Sequence, residues 1–319
     1  MNILYITNLY PTLKKSHFGI FVKNQIDSIR KKGINTKVIC IGKDFGGYHK
    51  IFSIKNEINW SDIIHCHFGH IGTLALFWKL FKNKPLVVSY CGDDLLGSVG
   101  SDEKYHFKGK ILASINSFFS KFIDFAIVKS DTLFKKVKAK NVEVIPSGVD
   151  INLFKEVDRR LAEGRIGLND SKLKRILFLG QRNIPVKNFS LFEMALKYLD
   201  FKFETLILEN IPYEDVVYYM NSSDVCVLTS FHEGSPNVIK EAMACNRPIV
   251  SVDVGDVKWL LEGIEGCFVV SHNPCQIAEA IKKAINFNKT NARQKILDLG
   301  LDLESIADRI VNIYKKILK

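Results

Sequence analysis

The sequence contains no apolar run long enough to cross a membrane. Its hydrophobic stretches stay below the ~18–20 residues that a membrane-spanning helix needs. The first seven residues lack the basic segment and the small-residue cleavage site of a secretory signal peptide, and they are interpreted as a first strand. A chain of 319 residues with 47% hydrophobic and 25% charged residues is otherwise typical of a globular protein with a sizeable core. These features predict a cytoplasmic protein.

Several motifs with a known chemistry are also absent. The seven cysteines include no Cys-x-x-Cys pair, and most of them lie in apolar segments. This distribution favours reduced, buried thiols over disulfides or a zinc site. The sequence has no P-loop and no Ser-His-Asp order, and we find neither a short repeat nor a low-complexity segment.

Acidic residues are scarce in the first half of the chain. Residues 1–150 contain 22 Lys and Arg against 12 Asp and Glu, whereas residues 151–319 contain 23 against 22. Two explanations of this excess are equally good. The lysines lie on solvated helix faces, or they form a surface that meets anionic lipid headgroups or an acidic acceptor. Nucleic acid is not an expected partner, because no recognition motif accompanies the charge.

What the sequence does contain is a regular alternation of strand and helix patterns. Short apolar runs, interpreted as buried strands, occur at 2–7, 36–41, 63–66, 86–90, 124–128, 142–145, 175–180, 203–208, 225–229, 248–253 and 267–270. Helical patterns lie at 19–32, 70–82, 105–120, 130–139, 189–199, 213–222, 236–245, 256–262, 274–287 and 303–317. The polar run at 155–174 is interpreted as a linker. This order predicts two doubly wound parallel sheets facing a cleft, with the carboxyl ends of the strands towards it.

One stretch of the second half combines a strand, a turn and a helix. After the apolar run at 225–229, Pro236 suits the first turn of a helix and Ser235 suits its N-cap. The free N–H groups and the dipole at such a helix start favour a phosphate. Glu241 lies five residues beyond Pro236, roughly 7–8 Å along the axis. A diphosphate ligand at this helix start can therefore meet Glu233 on one side and Glu241 on the other.

Two cations follow the strand at 175–180. Arg182 offers bidentate donors and Lys187 a point charge, so together they can grip a diphosphate. A solvated loop explains them better when they are taken alone, but their position at the same sheet edge as the helix start reverses that preference. The loop after the first strand ends in Gly19, which suits either a phosphate contact or a plain helix start.

Further polar residues follow two strands of the first half. His65, His67 and His70 surround Cys66, but no carboxylate cluster accompanies them, and a metal site is not expected. Asp94 belongs to an acidic pair after the strand at 86–90, where such a side chain either hydrogen-bonds a sugar hydroxyl or caps the next segment.

The sequence resembles the retaining, nucleotide-sugar-dependent glycosyltransferases of family 4, which have the GT-B fold of two Rossmann-like domains facing a cleft. Four stretches carry the resemblance: Tyr10-Pro11 through Gly19-Ile20-Phe21-Val22; Val144 to Asp150 with Phe154; Gly180 to Lys187; and Glu233 to Glu241, which is similar to the family's E-x7-E signature. The resemblance implies an acceptor domain over 1–152, a donor domain over 153–302 and a final helix, 303–319, that packs back on the first domain.

The resemblance also implies residue roles. Arg182 and Lys187 would hold the donor diphosphate and stabilise the leaving group. Glu233 would contact the donor sugar, and Glu241 would bind the ribose hydroxyls. The other donor-binding candidates are Gly19, Gly180, Gly234, Ser235, Pro236, Asn237 and Val238. Such enzymes need no metal or other cofactor, and their donor is a nucleotide-diphosphate sugar.

The family's His-Gly-x-Asp motif reads Cys91-Gly92-Asp93-Asp94 in this sequence. The aligned acid is Asp94, and Cys91 replaces a His that often touches the donor sugar. Asp94, Cys91 and His67 are therefore the candidates for the acceptor or sugar side.

The expected function is sugar transfer to a hydroxyl of a saccharide or a polyprenyl-diphosphate-linked acceptor, in bacterial surface polysaccharide synthesis. The basic first half suggests peripheral contact with the anionic inner face of the cell membrane. A nucleotide-sugar epimerase or hydrolase, and a non-catalytic partner protein on the same fold, are the alternatives.

Overall fold

The protein consists of two compact units, each with one parallel sheet and helices. The computed structural model describes residues 1–12, 18–42, 48–100, 104–169 and 172–319. The first unit comprises Met1–Ser98, Tyr105–Gly148 and Leu303–Lys319, and the second comprises Val99–Lys104 and Val149–Asp302. The predicted α/β class with two parallel sheets is confirmed. Residues 13–17, which belong to the loop after the first strand that ends in Gly19, lie outside the described residues.

The first unit contains a sheet of six parallel strands in the order β2-β1-β3-β4-β5-β6. The strands are β1 Asn2–Thr7, β2 Asn35–Cys40, β3 Ile63–His67, β4 Leu86–Tyr90, β5 Phe125–Val128 and β6 Val142–Val144. Every predicted strand of this half is present to within one residue at each end. The central strands β3 and β4 are buried along their whole length, as strands of a parallel sheet covered on both faces should be.

Helices follow the strands of this sheet. The α-helices that lie wholly within the described residues before residue 150 are α1 Ile20–Lys31, α2 Lys55–Trp60, α3 Gly69–Lys82, α4 Asp93–Leu96, α5 Phe107–Phe119 and α6 Asp131–Phe134. The predicted helix at 130–139 is wrong beyond Phe134. Four lysines between 135 and 140 provide no apolar stripe to bury there, and like charges at helical spacing repel.

The second unit contains a sheet of five parallel strands in the order β11-β10-β9-β7-β8. The strands are β7 Lys174–Phe178, β8 Phe203–Ile207, β9 Val225–Leu228, β10 Ile249–Val252 and β11 Cys267–Val270. The helices are α7 Arg159–Arg165, α8 Phe189–Leu196, α9 Val216–Asn221, α10 Asn237–Ala244, α11 Val257–Leu261, α12 Pro274–Ala284 and α13 Ala292–Asp298. All five strands were predicted from their apolar runs.

The interpretation of 155–174 as a linker is wrong, because α7 lies within it. Asp158 caps this helix by accepting hydrogen bonds from two first-turn N–H groups. Glu163 then accepts from Arg159 at 2.8 Å and from Arg175, whose guanidinium is buried at the start of β7. Charge pairing rather than an apolar stripe stabilises this helix, so its sequence looks like a solvated loop.

The final helix, α14 Leu303–Ile317, belongs to the first unit. Its Tyr314 hydroxyl lies 2.7 Å from that of Tyr5 on β1, and Arg309 donates to the Val144 carbonyl at 2.7 Å. In the part of the chain that the structure describes, none of the helices combines the length and the apolar character needed to cross a bilayer.

All seven cysteines are unpaired thiols. Cys66, Cys226 and Cys245 are buried, as predicted, but Cys40 and Cys275 are exposed. Cys40 is the last residue of β2, which lies at the sheet edge, so its surroundings are more open than its apolar segment suggested.

Candidate active site

The loops that follow β7 and β9 lie side by side, because the two strands are neighbours in the sheet. The Phe231 N–H donates to the Val186 carbonyl at 2.9 Å. The Thr229 hydroxyl donates to the carbonyl oxygens of Lys187 and Asn188, at 3.1 and 2.9 Å. These bonds fix the loop that carries Lys187 against the loop that carries Glu233.

Lys187 and Glu233 form an ion pair at this sheet edge. The Lys187 Nζ lies 2.7 Å from Glu233 Oε1, and the Ser230 hydroxyl donates to the same oxygen at 2.7 Å. Both charged side chains are largely buried, with exposures of 22% and 16%. A partly desolvated, hydrogen-bonded pair holds its geometry better than a surface pair does. The structure thus brings together two of the three predicted catalytic residues.

Gly180 makes room for the Lys187 side chain. A Cβ atom added at Gly180 would lie 3.0 Å from the Lys187 Cγ and 3.0 Å from the Phe178 ring. The missing side chain therefore lets the aliphatic part of Lys187 pass over the end of β7.

Arg182, the third predicted catalytic residue, has different neighbours. Its side chain is 58% exposed, and its Nη1 lies 3.6 Å from Glu209 Oε2. The guanidinium carbon also lies 5.6 Å from the centre of the Phe189 ring, within the range of a cation–π contact. An exposed guanidinium with one long ion pair is able to reorient towards an incoming anion.

The helix after β9 begins one residue later than predicted, and Ser235 is not its cap. Helix α10 starts at Asn237, with Pro236 in the cap position in an extended conformation. The Ser235 hydroxyl donates instead to Asp256 Oδ2 at 2.6 Å, and the Lys240 ammonium donates to Ser235 Oγ at 2.8 Å. These two charged partners hold the hydroxyl away from the first-turn N–H groups.

The start of α10 retains unused polar capacity. The first N–H groups of any helix have no partner within the helix itself. Asn237 Oδ1 and Asp256 Oδ1 are buried and have no hydrogen-bond partner among the described residues. Gly234 and Pro236 are buried next to them, and Val238 is partly exposed. Unsatisfied buried polar atoms are rare in folded proteins, and they commonly mark a place for a ligand or water.

Glu241 is buried in the middle of α10, with 7% of its surface exposed. The Tyr213 hydroxyl donates to its Oε1 at 3.0 Å. Burial raises the pKa of Glu241 to about 7, although the hydrogen bond from Tyr213 and nearby lysines oppose that rise. The carboxyl group therefore changes its charge near neutral pH and has an acceptor oxygen to offer to a hydroxyl-bearing ligand.

Three residues of this sheet edge were missed by the sequence reasoning. Tyr213 follows β8, and nothing in its surroundings signalled its bond to Glu241. Gly255 follows β10 with φ +60°, and a Cβ atom there would lie 2.8 Å from the Gly234 carbonyl oxygen. His272 follows β11 and donates from Nε2 to the Ser230 carbonyl at 2.9 Å. For the last two, a position just after a strand was the available signal.

Gly19 has a structural role in the first unit. It precedes α1 with φ +73°, and a Cβ atom there would lie 2.5 Å from the carbonyl carbon of Leu9. Only glycine allows this close approach of two backbone segments. This geometry explains a glycine at the helix start, and the phosphate contact of Gly19 stays a prediction.

Asp94 organises the loop after β4. Its carboxylate accepts backbone N–H bonds from Gly69 at 2.8 Å and Gly92 at 2.9 Å, and a longer one from Cys91 at 3.1 Å. Burial raises the pKa of Asp94 to about 6 in spite of these bonds. Burial likewise raises the pKa of the Cys91 thiol to about 12, so the thiol stays protonated at neutral pH. Cys91 is partly exposed and Asp94 is buried.

His67 lies inside the first unit, stacked on His65 with a centroid distance of 5.0 Å. The Gln25 amide donates to His67 Nε2 at 3.2 Å, and His67 Nδ1 has no partner among the described residues. His65 bonds to Tyr314 and to Ser89 at 2.8 Å. Their spacing of two residues along β3 places both rings on one face of the strand.

Lys129, which directly follows β5, is a buried cation of the same unit. Only 2% of its surface is exposed, and its Nζ has no partner among the described residues. Burial lowers the pKa of Lys129. The sequence pattern gave no signal for it, since a lysine after a strand normally reaches solvent.

Comparison with known proteins finds that the chain is similar in sequence to glycosyltransferases. Residues 175–286 match the family model "Glycosyl transferases group 1", and this span contains Arg182, Lys187, Glu233 and Glu241. The chain is 21% identical, over 89% of both sequences, to a Bacillus subtilis protein named as a teichuronic acid biosynthesis glycosyltransferase, TuaC. It is also 31% identical over 113 residues to the N,N'-diacetylbacillosaminyl-diphospho-undecaprenol alpha-1,3-N-acetylgalactosaminyltransferase of Campylobacter jejuni. The aligned stretch covers 33% of this chain and 29% of that protein.

Solved structures share the fold over the whole chain. Sucrose-phosphate synthase of Thermosynechococcus elongatus superposes with a TM-score of 0.81 and 15% identity, covering 99% of both chains. Anabaena HepE, solved in complex with UDP-glucose, superposes with a TM-score of 0.72 and 18% identity over 99% of this chain and 100% of its own. At this level of identity the likeness establishes the fold, which is GT-B. The family match over residues 175–286 adds a similarity in sequence to glycosyltransferases, which supports a glycosyltransferase like those of family 4.

Proposed function

We propose that the chain is a retaining glycosyltransferase that moves a sugar from a nucleotide-diphosphate sugar to a hydroxyl of a saccharide or lipid-linked saccharide. The observation that carries the proposal is the Lys187–Glu233 ion pair next to the start of α10. It combines a cation for a diphosphate, a carboxylate for a sugar and a helix start for a phosphate at one sheet edge.

In the proposed reaction the bond between the donor sugar's anomeric carbon and the diphosphate oxygen breaks. The acceptor hydroxyl oxygen forms its bond to the same face of that carbon, and its proton passes to the departing phosphate oxygen. The transition state is oxocarbenium-like. Arg182 and Lys187 would meet the negative charge that develops on the leaving diphosphate, and this stabilisation lowers the barrier. Glu233, held by Lys187 and Ser230, would position the sugar.

Glu241 would bind the ribose hydroxyls of the nucleotide. Its buried carboxyl group accepts one bond from Tyr213, and an ionised carboxylate has room for further donors. The HepE complex with UDP-glucose has the same fold and makes a uridine nucleotide a sensible first donor to test. We expect the reaction to need no metal ion, so that a chelator leaves the rate unchanged.

We assign the acceptor to the class of lipid-linked or polymeric saccharides. Two relatives carry names from that chemistry, teichuronic acid synthesis and transfer to a diphospho-undecaprenol-linked sugar. The excess of Lys and Arg in residues 1–150 fits an anionic acceptor or membrane surface. This assignment favours bacterial surface polysaccharide synthesis at the inner face of the cell membrane.

The first experiment is a thermal-shift panel of nucleotide sugars, since a ligand that binds the folded state raises its apparent stability. The stabilising donor is then incubated with and without acceptor saccharides, and the anomeric configuration of the product is read by NMR. Retention supports the proposal and inversion contradicts it. Efficient conversion of the donor sugar without an acceptor would favour an epimerase or hydrolase instead.

Lys187→Ala and Arg182→Ala test the leaving-group assignment. We expect each to lower turnover by two or more orders of magnitude, because charge stabilisation of this kind is worth roughly 3–4 kcal/mol in a transition state. Lys174→Ala, a partly exposed lysine at the start of β7, is the matched control and should retain activity. Near-normal turnover in either test variant would remove the assignment.

A further inference from the structure

Helix α5 of the first unit exposes a continuous apolar stripe. The stripe is formed by Phe107, Ile111, Ile115, Phe118 and, in the following turn, Phe122. Their spacing of four, four, three and four residues places them on one side of the helix. Phe107 is 77% exposed, and the others are at least 41% exposed. Ala113 and Asn116, on the other side, are buried in the unit.

A cavity of about 470 Å³ lies beside this helix. We call it the lysine cavity, because Lys110, Lys135, Lys136 and Lys138 line it together with Ser114 and Ser117. Its lysines take part in none of the ion pairs between described residues. Four ammonium groups around one concavity repel one another, and an anion held between them relieves that repulsion.

Charge and aromatic surface meet at the end of the stripe. The Lys121 ammonium lies 3.8 Å from the centre of the Phe118 ring and 4.8 Å from that of Phe122. Aromatic rings flanked by lysines are typical of surfaces that lie in the headgroup layer of a bilayer. Between residues 104 and 140 the chain has nine lysines and two aspartates, so the surroundings of the stripe are strongly basic.

We infer that the stripe of α5 and the lysine cavity together form a docking surface for an anionic lipid bilayer. The apolar side chains insert at the acyl boundary, and the lysines bind lipid phosphates in the headgroup layer. A second copy of the chain suits this surface poorly, because pairing two stripes would bring two sets of lysines together. The inference deepens the proposed function, because it assigns the membrane contact suggested there to a specific surface, although docking itself requires neither donor nor acceptor.

The test is flotation of the full chain with vesicles of 30% phosphatidylglycerol in phosphatidylcholine, compared with pure phosphatidylcholine. At 50 mM salt we expect the protein to float with the anionic vesicles only. At 500 mM salt binding should fall by roughly tenfold or more, because the attraction to the headgroups is screened. Protein that stays at the bottom of the gradient with anionic vesicles at low salt overturns the inference.

Two double variants separate the two halves of the surface. Phe107→Ser with Ile111→Ser should abolish flotation at either salt concentration, whereas Lys135→Gln with Lys136→Gln should weaken it roughly tenfold or more at low salt. The substituted side chains are exposed, so folding should be unaffected, and melting curves check this.

Matched controls keep the result specific to this face. Leu161→Ser with Leu318→Ser removes two exposed leucines elsewhere, and Lys315→Gln with Lys316→Gln removes two exposed lysines of α14. Both should float like the parent protein. An equal loss in the Lys315 and Lys316 variant would mean unspecific charge attraction and overturn the inference. The parent protein could instead fail to bind vesicles and form a dimer in light scattering. If Phe107→Ser with Ile111→Ser dissociates that dimer, the stripe is assigned to a second copy of the chain.

Nucleotide binding measured on the same samples separates this inference from the proposed function. Flotation with normal nucleotide affinity supports both. Loss of flotation in the stripe variant with unchanged nucleotide affinity is the expected result for a docking surface. Absence of nucleotide binding in the parent protein would count against the proposed function and leave the docking result standing.

Discussion

At the scale of the residue, Glu241 links the stability of the protein to the chemistry expected of it. Burial raises the pKa of its carboxyl group from an ordinary 4.5 to about 7. A raised folded-state pKa means that the folded chain holds a proton more tightly than the unfolded chain. Its stabilising contribution is therefore complete below about pH 4.5 and is lost as the pH rises through 7, with a magnitude of about 3 kcal/mol.

Glu241→Gln should abolish this pH dependence. Glutamine stays neutral at every pH and keeps an oxygen that accepts the bond from Tyr213. The melting temperature of the variant should match the parent near pH 5 and exceed it at pH 8.5, as read by thermal denaturation at both values. Glu214→Gln, at an exposed acid next to Tyr213 in the chain, is the control. Parallel pH profiles of parent and Glu241→Gln would show that the carboxyl group does not titrate near neutrality.

Nucleotide affinity should depend on the same carboxyl group with the opposite sign. An ionised carboxylate accepts ribose hydroxyls better than a neutral acid, so affinity of the parent protein should fall as the pH drops from 8 to 6. In Glu241→Gln the affinity should be lower at pH 8 and nearly independent of pH. Isothermal titration with the donor nucleotide at three pH values measures both, and an unchanged affinity in the variant would contradict the ribose role.

Lys129 offers a case where removal of a charge should stabilise the fold. Its ammonium is buried, and removing an unpaired buried ion relieves a desolvation penalty. Burial lowers the pKa of Lys129. The desolvation penalty is therefore greatest at a pH where the ammonium is charged, and it shrinks as the pH rises towards 10.5, the ordinary pKa of a lysine. Lys129→Met should thus raise the melting temperature at neutral pH, and less at pH 10. Lys135→Met, on the surface, is the control, and a lower melting temperature for Lys129→Met would reveal a favourable partner for the ammonium.

At the scale of the element, the turn after β10 depends on Gly255 for its contact with the loop after β9. Alanine there would combine a left-handed backbone with a Cβ atom 2.8 Å from the Gly234 carbonyl oxygen. Gly263→Ala is a matched control, since Gly263 has φ +75° with nothing within 4 Å of its added Cβ. We expect Gly263→Ala to cost about 1 kcal/mol of unfolding free energy. Gly255→Ala should cost more, and of the two variants only this one should weaken nucleotide binding. Urea denaturation measures the cost in stability, and calorimetry measures the binding. Equal costs for the two variants would mean that the close approach is unimportant.

Strands were the elements that the sequence predicted best. A parallel strand covered on both faces favours a continuous apolar run, and β9 consists of one. Because the carboxyl ends of parallel strands share one edge, the same runs predicted that the loops of Lys187 and Glu233 would meet. Helix α7 escaped prediction because charges rather than apolar residues stabilise it, through Asp158 and Glu163.

Side-chain partners across loops could not be predicted, since they depend on tertiary packing. Ser235 has the residue type of an N-cap, but Asp256 and Lys240 compete successfully for its hydroxyl. The bond between Tyr213 and Glu241 joins residues 28 positions apart. Local sequence preferences contain no information on such pairs.

At the scale of the whole molecule, the first unit is built from both ends of the chain. Helix α14 contributes Ile306, Ile310, Val311, Ile313 and Tyr314 to its buried surface. Tyr314 also joins Tyr5 and His65 in one hydrogen-bonded group. The first unit is therefore complete only after the last residues of the chain are in place, although its sheet lies within the first 144 residues.

A chain that ends at Asp302 should lose the fold of its first unit and keep that of its second. Each buried Ile or Val is worth roughly 1.5–3 kcal/mol, and several together approach the whole stability of a typical domain, roughly 5–15 kcal/mol. Hydrogen exchange should show β1 and β3 unprotected, with β7 and β9 still protected, since no residue of α14 belongs to the second unit. A chain that ends at Ile317, which removes only two exposed residues, should behave like the parent protein. Continued protection of β1 and β3 in the shorter chain would mean that the first 148 residues form a stable unit without the helix.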